Sequence, residues 1–423
     1  MEWIILAISA ISAIYILYHA YIGVVGNLKE LEPIPYAAPG KRLALVIPAR
    51  NEARVVGLLI DSLNKQRYPR ELFDIYVIPN NCIDDTEQEA RRAGAHILHC
   101  PEETHSKGEV LHHTFAQLLE SERAYDGFVI FDADNIADSG FLQVVNNAMA
   151  AGYQVGQAYR DSKNPDDSWI AGCTSMFFWF MNRFFNHPRA ALGLSASLNG
   201  TGVMVGADFL RRHGYNTTTL TEDLEFSAQC ALAGEKIAWM EEAIFYDEQP
   251  LKLKDSFIQR RRWAAGSRQC AQKYLWSLFA CAPKSKLCLD VAMHFLSVYT
   301  VILGLVPVVL TIATLVRRMA TNFGQGIEEA LYLIAVLFAS SFFSGALITL
   351  IVCSLETKLR KQRMTEVMTL GWFMMTWLPI NLIGFLWRPP TWTAIPHTND
   401  IGIEDCERQN VPIRPLAKKE TSL

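Results

Sequence analysis

Three short clusters in this chain carry residue types that can do chemistry together. Asp132-Ala133-Asp134 sets two carboxylates two residues apart, directly after the apolar run Phe128-Val129-Ile130-Phe131. Hard cations such as Mg²⁺ take oxygen ligands and are commonly held by one or two carboxylates plus substrate phosphates. Asp-x-Asp alone is a common chance match; its place at the end of an apolar run gives it weight. Thr221-Glu222-Asp223 supplies further carboxylates. A carboxylate within hydrogen-bond reach of a hydroxyl can take its proton as a new bond forms. The same residues also read as a helix start, with Thr221 as N-cap and acids in the first turn. A catalytic carboxylate needs a rigid mount, so both readings can hold. Gln259-Arg260-Arg261-Arg262-Trp263 is the sharpest cluster. Guanidinium groups bind phosphate oxygens in pairs, and Trp offers a flat face to a sugar ring or a cation. The competing reading is a basic interfacial helix gripping anionic lipid, with Trp at headgroup level.

These clusters need elements to position them. Leu43-Ala44-Leu45-Val46-Ile47 is apolar and branched enough to be a buried strand. It ends at Pro48, and Ala49-Arg50-Asn51-Glu52 follows. Val55, Val56, Leu58, Leu59, Ile60 and Leu63 then recur at helical spacing. Ile75-Tyr76-Val77-Ile78 predicts a second strand, ending at Pro79-Asn80-Asn81, and Asp84, Asp85 and Thr86 cap the next helix. The third strand is Phe128 to Phe131. Strand–helix–strand alternation predicts a mostly parallel sheet with helices on both faces. Ligands of such sheets sit outside the carboxyl ends of the strands, where every polar cluster just named falls.

Taken together, these residues resemble the family-2 glycosyltransferases, in particular the membrane-bound branch with cellulose, chitin and hyaluronan synthases. The resemblance runs from Leu43 to Trp263 in consistent order. Ile47-Pro48-Ala49-Arg50-Asn51-Glu52 is similar to the opening nucleotide-binding strand and turn, Lys107-Gly108 to the donor-side Lys-Gly element, and Asp132-Ala133-Asp134 to the metal-binding carboxylates. Asn199-Gly200-Thr201-Gly202 resembles the acceptor-side loop, Thr221-Glu222-Asp223 the catalytic-base motif, and Gln259 to Trp263 the Gln-x-x-Arg-Trp signature. The resemblance implies an α/β nucleotide-sugar domain of the GT-A type and an inverting transfer. In it Asp223 is the base, and Mg²⁺ or Mn²⁺ sits on Asp134 with support from Asp132. The implied donor side comprises Pro48, Arg50, Glu52, Asn80, Asp84, Lys107, Asp132, Gln259 and Arg262; the acceptor side comprises Gly200, Thr201, Glu222 and Trp263. Two positions depart from the family pattern. Asn80 stands where an Asp commonly holds uracil, although its carbonyl can still accept from a ring N–H. Arg50 stands where Tyr is frequent, and replaces stacking by a cation–π contact.

The ends of the chain differ from its middle. Trp3 to Val25 contains no Asp, Glu, Lys or Arg, and is long enough to cross a hydrocarbon core of ~30 Å. It reads as a retained anchor rather than a cleaved signal, since its n-region has no Lys or Arg and no small-residue cleavage site follows. Further apolar stretches at 287–315, 330–354 and 366–387 complete an expected set of about four membrane helices. Lys29, Lys41 and Arg42 follow the first span, and Lys358, Arg360, Lys361 and Arg363 lie between the last two. Both basic sides are then cytosolic, which places the catalytic domain in the cytosol and the protein in the cell membrane as a multi-pass chain. Alternation puts the C-terminus outside, unless the last apolar segment is re-entrant or interfacial. The expected organisation is an anchor at 1–28, a cytosolic domain at 41–265 and an interfacial amphipathic segment at 266–286. Membrane helices at 287–388 and a tail at 389–423 complete it. Asp290 and His294 fall near the cytosolic start of the second span, where polar groups could line a path for sugar.

Nine cysteines occur without a CxxC pair, so neither a disulfide frame nor a zinc site is expected. A net charge of −4 says nothing useful about partners, and nucleic acid is not among those expected. The expected partners are a nucleotide-sugar donor (UDP-sugar first), a glycan or lipid acceptor, and membrane lipid. Polymerisation of a β-linked polysaccharide is the leading expectation and single transfer to a lipid the alternative. A non-catalytic scaffold is disfavoured because Asp134 and Asp223 are both retained.

Overall fold

The computed structural model describes residues 2–101, 104–356, 358, 364–387, 397 and 399–409. Helix α1 (Glu2–Leu28) precedes a domain built on eight strands. The strands are β1 (Leu43–Ala49), β2 (Phe73–Pro79), β3 (His96–Ile97), β4 (Gly127–Ile130), β5 (Ile136–Ala137), β6 (Val155–Ser162), β7 (Val203–Gly206) and β8 (Ile237–Asp247). They form one sheet in the order β3-β2-β1-β4-β7-β6-β8-β5. β3, β2, β1 and β4 run parallel, as do β6 and β8; β7 is antiparallel to both its neighbours, and β5 to β8. This is the mostly parallel α/β sheet that the alternation predicts.

Between the strands run α2 (Val56–Asn64), α3 (Thr86–Arg92), α4 (Lys107–Leu119), α5 (Phe141–Ala150), α6 (Trp169–Phe180), α7 (His187–Ala191), α8 (Ala207–His213) and α9 (Glu222–Leu232). Successive strand residues point to opposite faces, and β1 shows both faces covered. Leu43, Leu45 and Ile47 pack with α2, α3 and α5, while Ala44 and Val46 pack with α4, α6, α8 and α9. Every one of those five residues is fully buried, which explains why the run is apolar throughout rather than alternating.

After the sheet come α10 (Leu253–Cys281), α11 (Lys286–Phe295), α12 (Ser297–Thr321), α13 (Phe323–Leu355), α14 (Met364–Met375), α15 (Trp377–Leu386) and α16 (Ile403–Gln409). The 29-residue α10 carries both the Gln259–Trp263 cluster and most of the segment expected to be interfacial, without a break at 265. Among the described residues three helical stretches are long and apolar enough to cross a membrane: Ala10–Leu28, Phe323–Leu355 and Met364–Leu386. The stretch at 287–315 is instead divided at Leu296 between α11 and α12, and the side chains at 301, 302, 305 and 307 lie outside the described residues. Of the expected basic cluster, Lys358 pairs with Asp161 of β6 at 2.6 Å; Arg360, Lys361 and Arg363 lie outside the described residues.

Asp290 is not on an open path. It is 2 % exposed, and accepts from Arg189 Nε at 2.9 Å and from the Tyr18 hydroxyl at 3.0 Å. His294 packs against the Phe185 ring. The polar pair that could have lined a sugar channel is part of a closed joint between α1, α7 and α11.

Candidate active site

The site forms where β1, β2 and β4 end. Val46 O accepts from Phe131 N at 3.0 Å, so the even-numbered residues of β1 direct their backbone groups toward β4. Pairing with β4 stops at Val46. Pro48 therefore extends the strand as far as Ala49 without costing a ladder bond. Partly buried Arg50 follows, and Asn51 takes a positive φ of 60° as the chain turns. The Glu52 N–H donates to the Thr86 hydroxyl at 2.8 Å, and the Ala53 N–H to Asp84 at 3.1 Å. Asp84 also accepts from the Thr86 N–H and hydroxyl. Burial opposes it, yet these bonds hold the Asp84 carboxyl below the usual range. Asp84 thus ties together the loops after β1 and β2. Asn80 donates to Thr104 O at 3.2 Å and accepts from Asn81.

Four distant segments meet around Lys107. A capping box between Ser106 and Glu109 starts α4 at this residue, which fixes the lysine at the helix mouth. Lys107 Nζ forms an ion pair with Asp132, donates to Gly200 O at 2.7 Å, and lies 3.6 Å from Glu222. Gly200 has φ +78, and a Cβ there would sit 3.5 Å from both Asp223 Oδ2 and Glu222 Oε1. It is the positive φ, not a lack of space, that calls for glycine at that turn. Burial works against the Lys107 cation, but Asp132 and Glu222 more than restore it and raise its pKa. Asp223 is the opposite case: burial, with Glu222 adding to it, pushes its carboxyl up to about 7 against Lys107 and Arg262. A carboxylate with a pKa near neutral suits a general base.

The turn after β4 is held from behind. Asn135 donates to Asp247 at 2.8 Å, and Asp247 also accepts from Arg160 and Gln249. Thr201 bonds Asn135 and accepts from the Asp132 N–H at 3.0 Å, so its hydroxyl is engaged within the fold rather than directed at an acceptor. Asp134 is buried, and burial raises its pKa with help from Asp132 and Glu52. His397, far away in sequence, lies 3.0 Å from Glu52 and 3.6 Å from Asp134. Burial opposes its protonation, but Asp134 and Glu52 push it up to about 10. Among the described residues no group of three or more His, Cys, Asp and Glu has metal-ligand spacing. The chemistry of the donor set nonetheless suits a hard cation: two carboxylates at a strand end, in a pocket short of positive charge.

Arg262 acts on Asp223 through its charge, and Gln259 Oε1 is buried without a partner among the described residues. Trp263 lies nearly parallel to Phe177 (centroids 6.5 Å, planes 22°) and to Trp377 (6.3 Å, 23°), with Phe178 edge-on at 6.0 Å. One turn further along α10, a Cβ on Gly266 would meet Thr221 at 2.5 Å. That contact seats the motif helix directly on the start of α9. Thr221 occupies the N-cap position but makes no side-chain cap bond. Sequence reasoning missed His397, Asn135 and Asp247. Asn135, adjacent to Asp134, had a local signal; a lone histidine in the tail had none.

A family model described as "Glycosyltransferase like family 2" matches residues 39–266. The chain belongs to that family. This family-2 glycosyltransferase is 26% identical over 260 residues to a beta-monoglucosyldiacylglycerol synthase of Nostoc, covering 56% of this chain and 51% of the relative. It therefore spans about half the length of the first curated relatives it matches. It is 23% identical over 351 residues to a probable glycosyltransferase of Bacillus subtilis, YdaM, covering 79% of this chain and 78% of that one. Among solved structures, a mannosyltransferase from Pyrobaculum calidifontis, in complex with GDP-Man and Mn²⁺, superposes with a TM-score of 0.59. At 17% identity it covers 90% of this chain and 98% of that one, and establishes a shared fold.

Proposed function

We propose that this glycosyltransferase moves one sugar from a nucleotide-sugar donor onto a hydroxyl of a membrane lipid, with inversion at the anomeric carbon. The observation that carries the reading is the meeting of Lys107, Asp132, Gly200 and Asp223 at the carboxyl ends of the sheet. Asp223 takes the proton of the acceptor hydroxyl. The oxygen bonds the anomeric carbon from one face while the bond to the diphosphate breaks on the other. Arg262 keeps positive charge beside the departing phosphates, and Lys107 holds Asp132 in place by its ion pair. Asp134, supported by Asp132, would hold a divalent cation, which would supply further charge for that leaving group.

Two observations favour a lipid acceptor over a growing polysaccharide. Asp290, which could have lined a sugar path, is closed by Arg189 and Tyr18. The Nostoc relative is named for making a glucosyldiacylglycerol. The test uses purified protein with vesicles containing diacylglycerol and a panel of radiolabelled UDP-sugars, followed by GDP-sugars. The expected product is organic-extractable and carries one sugar on thin-layer analysis. Long product in the void volume of a gel-filtration column would overturn the reading in favour of polymerisation.

A further inference from the structure

The last apolar stretch is two short helices, α14 of 12 residues and α15 of 10. Thr376 between them keeps helical dihedrals (φ −66, ψ −16), and Met364–Leu386 taken together is long enough to cross a ~30 Å hydrocarbon core. Both helices touch the catalytic domain, α14 while also packing closely on α13 through Gly345 and Gly371. Cys173 of α6 and Thr369 of α14 share a hydrogen bond at 3.4 Å. α15 runs alongside α10: a Cβ on Gly384 would sit 2.8 Å from Ala264 Cβ, and Arg268 donates to the Phe385 carbonyl. The ends also stay with that domain. Before α14, Lys358 pairs with Asp161; after α15, His397 pairs with Glu52. Both flanking residues thus contact the catalytic domain.

Where α14 meets α15 sits a buried arginine. Arg260, the second residue of the Gln259–Trp263 cluster, is 1% exposed. Its Nη1 donates to Thr376 Oγ1 at 2.7 Å, and its guanidinium lies over Phe373 (4.2 Å) and Trp377 (5.3 Å). Its Nη2 has no partner, and no carboxylate pairs with it among the described residues. Aromatic faces, the Thr376 hydroxyl and the Ser256 carbonyl (3.3 Å from Nε) hold this cation at that junction, and Trp377, next to Thr376, lies on Trp263. Met374, Met375 and Leu378, beside the junction, are exposed and apolar.

We propose that Trp377 is an acceptor-binding residue and that Arg260 is the positioning residue that holds it at the site. The hydroxyl-bearing headgroup of a membrane lipid sits against Trp263 and Trp377, while its acyl chains stay on the apolar surface of Met374, Met375 and Leu378. The lipid class rests on the acceptor reading above; the placement of Trp377 does not.

The test measures KM for vesicle-borne diacylglycerol at saturating donor, beside nucleotide affinity, which reports an intact donor side. Trp377→Leu keeps the apolar bulk and loses the aromatic face, and should raise the acceptor KM on the order of tenfold with nucleotide affinity unchanged. Trp377→Phe should recover most of that loss. Arg260→Lys keeps the charge but not the planar fork, and should raise the acceptor KM while kcat holds. An acceptor KM within about twofold of wild type in Trp377→Leu, well inside the cost of losing a stacked ring, overturns the proposal. If the wild-type protein glycosylates no lipid but extends a soluble glycan, the lipid reading falls. The same variants are then judged on KM for that glycan: a rise keeps Trp377 in the acceptor site, and no change removes it.

Discussion

Where α1, α7 and α11 meet, Arg189 and Asp290 are each about as buried as a charged side chain can be, and each answers the other. The Tyr18 hydroxyl satisfies the second carboxylate oxygen, and the Phe185 ring lies 3.4 Å from the Arg189 guanidinium. At the carboxyl ends of the sheet the balance is different. Asp132, Asp134, Glu52, Glu222 and Asp223 crowd together, with Lys107, Arg262, His397 and Lys163 among the cations that face them. Charge there is left uneven, and both Asp134 and Asp223 respond with raised pKa values. A neutralised pair fixes two elements relative to each other. An under-neutralised cluster is costly in the free protein, and is relieved by a ligand that brings positive charge or gives up a proton to it.

The largest expected effect breaks the under-neutralised region. Asp223→Asn keeps the shape but cannot accept a proton, and should lower turnover about 10²–10⁴-fold with nucleotide binding intact. Single-turnover transfer alongside nucleotide titration measures both; near wild-type turnover would place the base elsewhere. Glu225, on the same helix, sharpens the contrast. It accepts from the Thr218 and Thr219 N–H groups at 2.7 Å, from Tyr274 at 2.9 Å and from Lys273. Despite burial, those partners lower its pKa. One of these neighbouring carboxylates is held as a structural anion, and the other is kept ready to change state.

Much of this division was legible in the chain, and some was not. Strand periodicity and the polar residues following each apolar run place β1, β2, β4 and the Asp132–Asp134 turn correctly, because local burial sets them. The spacing from Gln259 to Trp263 marks one helix and also reveals Trp263. Nothing local tells Asp290 from a pathway residue: its partner Arg189 is 101 positions away, and only the fold brings them together. His397 is hidden for the same reason, 345 positions from Glu52. The last apolar stretch has the hydropathy of a span, and the bond from Arg260 to Thr376 in the middle of it is something hydropathy does not register.

The second effect breaks the neutralised region. Asp290→Asn leaves the Arg189 guanidinium buried without a counter-charge, and should cost about 3–5 kcal/mol of stability. Thermal unfolding in detergent measures the loss, and the fraction that remains folded should keep the wild-type kcat. Replacing both partners, as Arg189→Met with Asp290→Leu, should recover most of the stability. Normal stability with a reduced kcat would return Asp290 to the substrate path.

The smallest effect tests whether the two regions differ in kind, and it is read from pH. With its carboxyl near 7, Asp223 is mostly protonated at pH 6 and mostly ionised at pH 8. As kcat/KM reports the free enzyme, it should rise about tenfold between those values and then level off. Stability should move the other way. A carboxyl raised above its unfolded value of about 3.9 contributes stability that is fully present below that value and is lost as pH rises through the folded pKa. Asp223→Asn cannot ionise, so its stability relative to wild type should grow from pH 6 to pH 8. Asp290, already matched by Arg189, should give no such divergence from its asparagine variant over the same range. A flat kcat/KM from pH 6 to 8, or a wild-type protein that gains stability on Asp223→Asn as pH rises, would mean that Asp223 is held as firmly as Asp290. Under-neutralised charge would then no longer mark the catalytic end of this molecule.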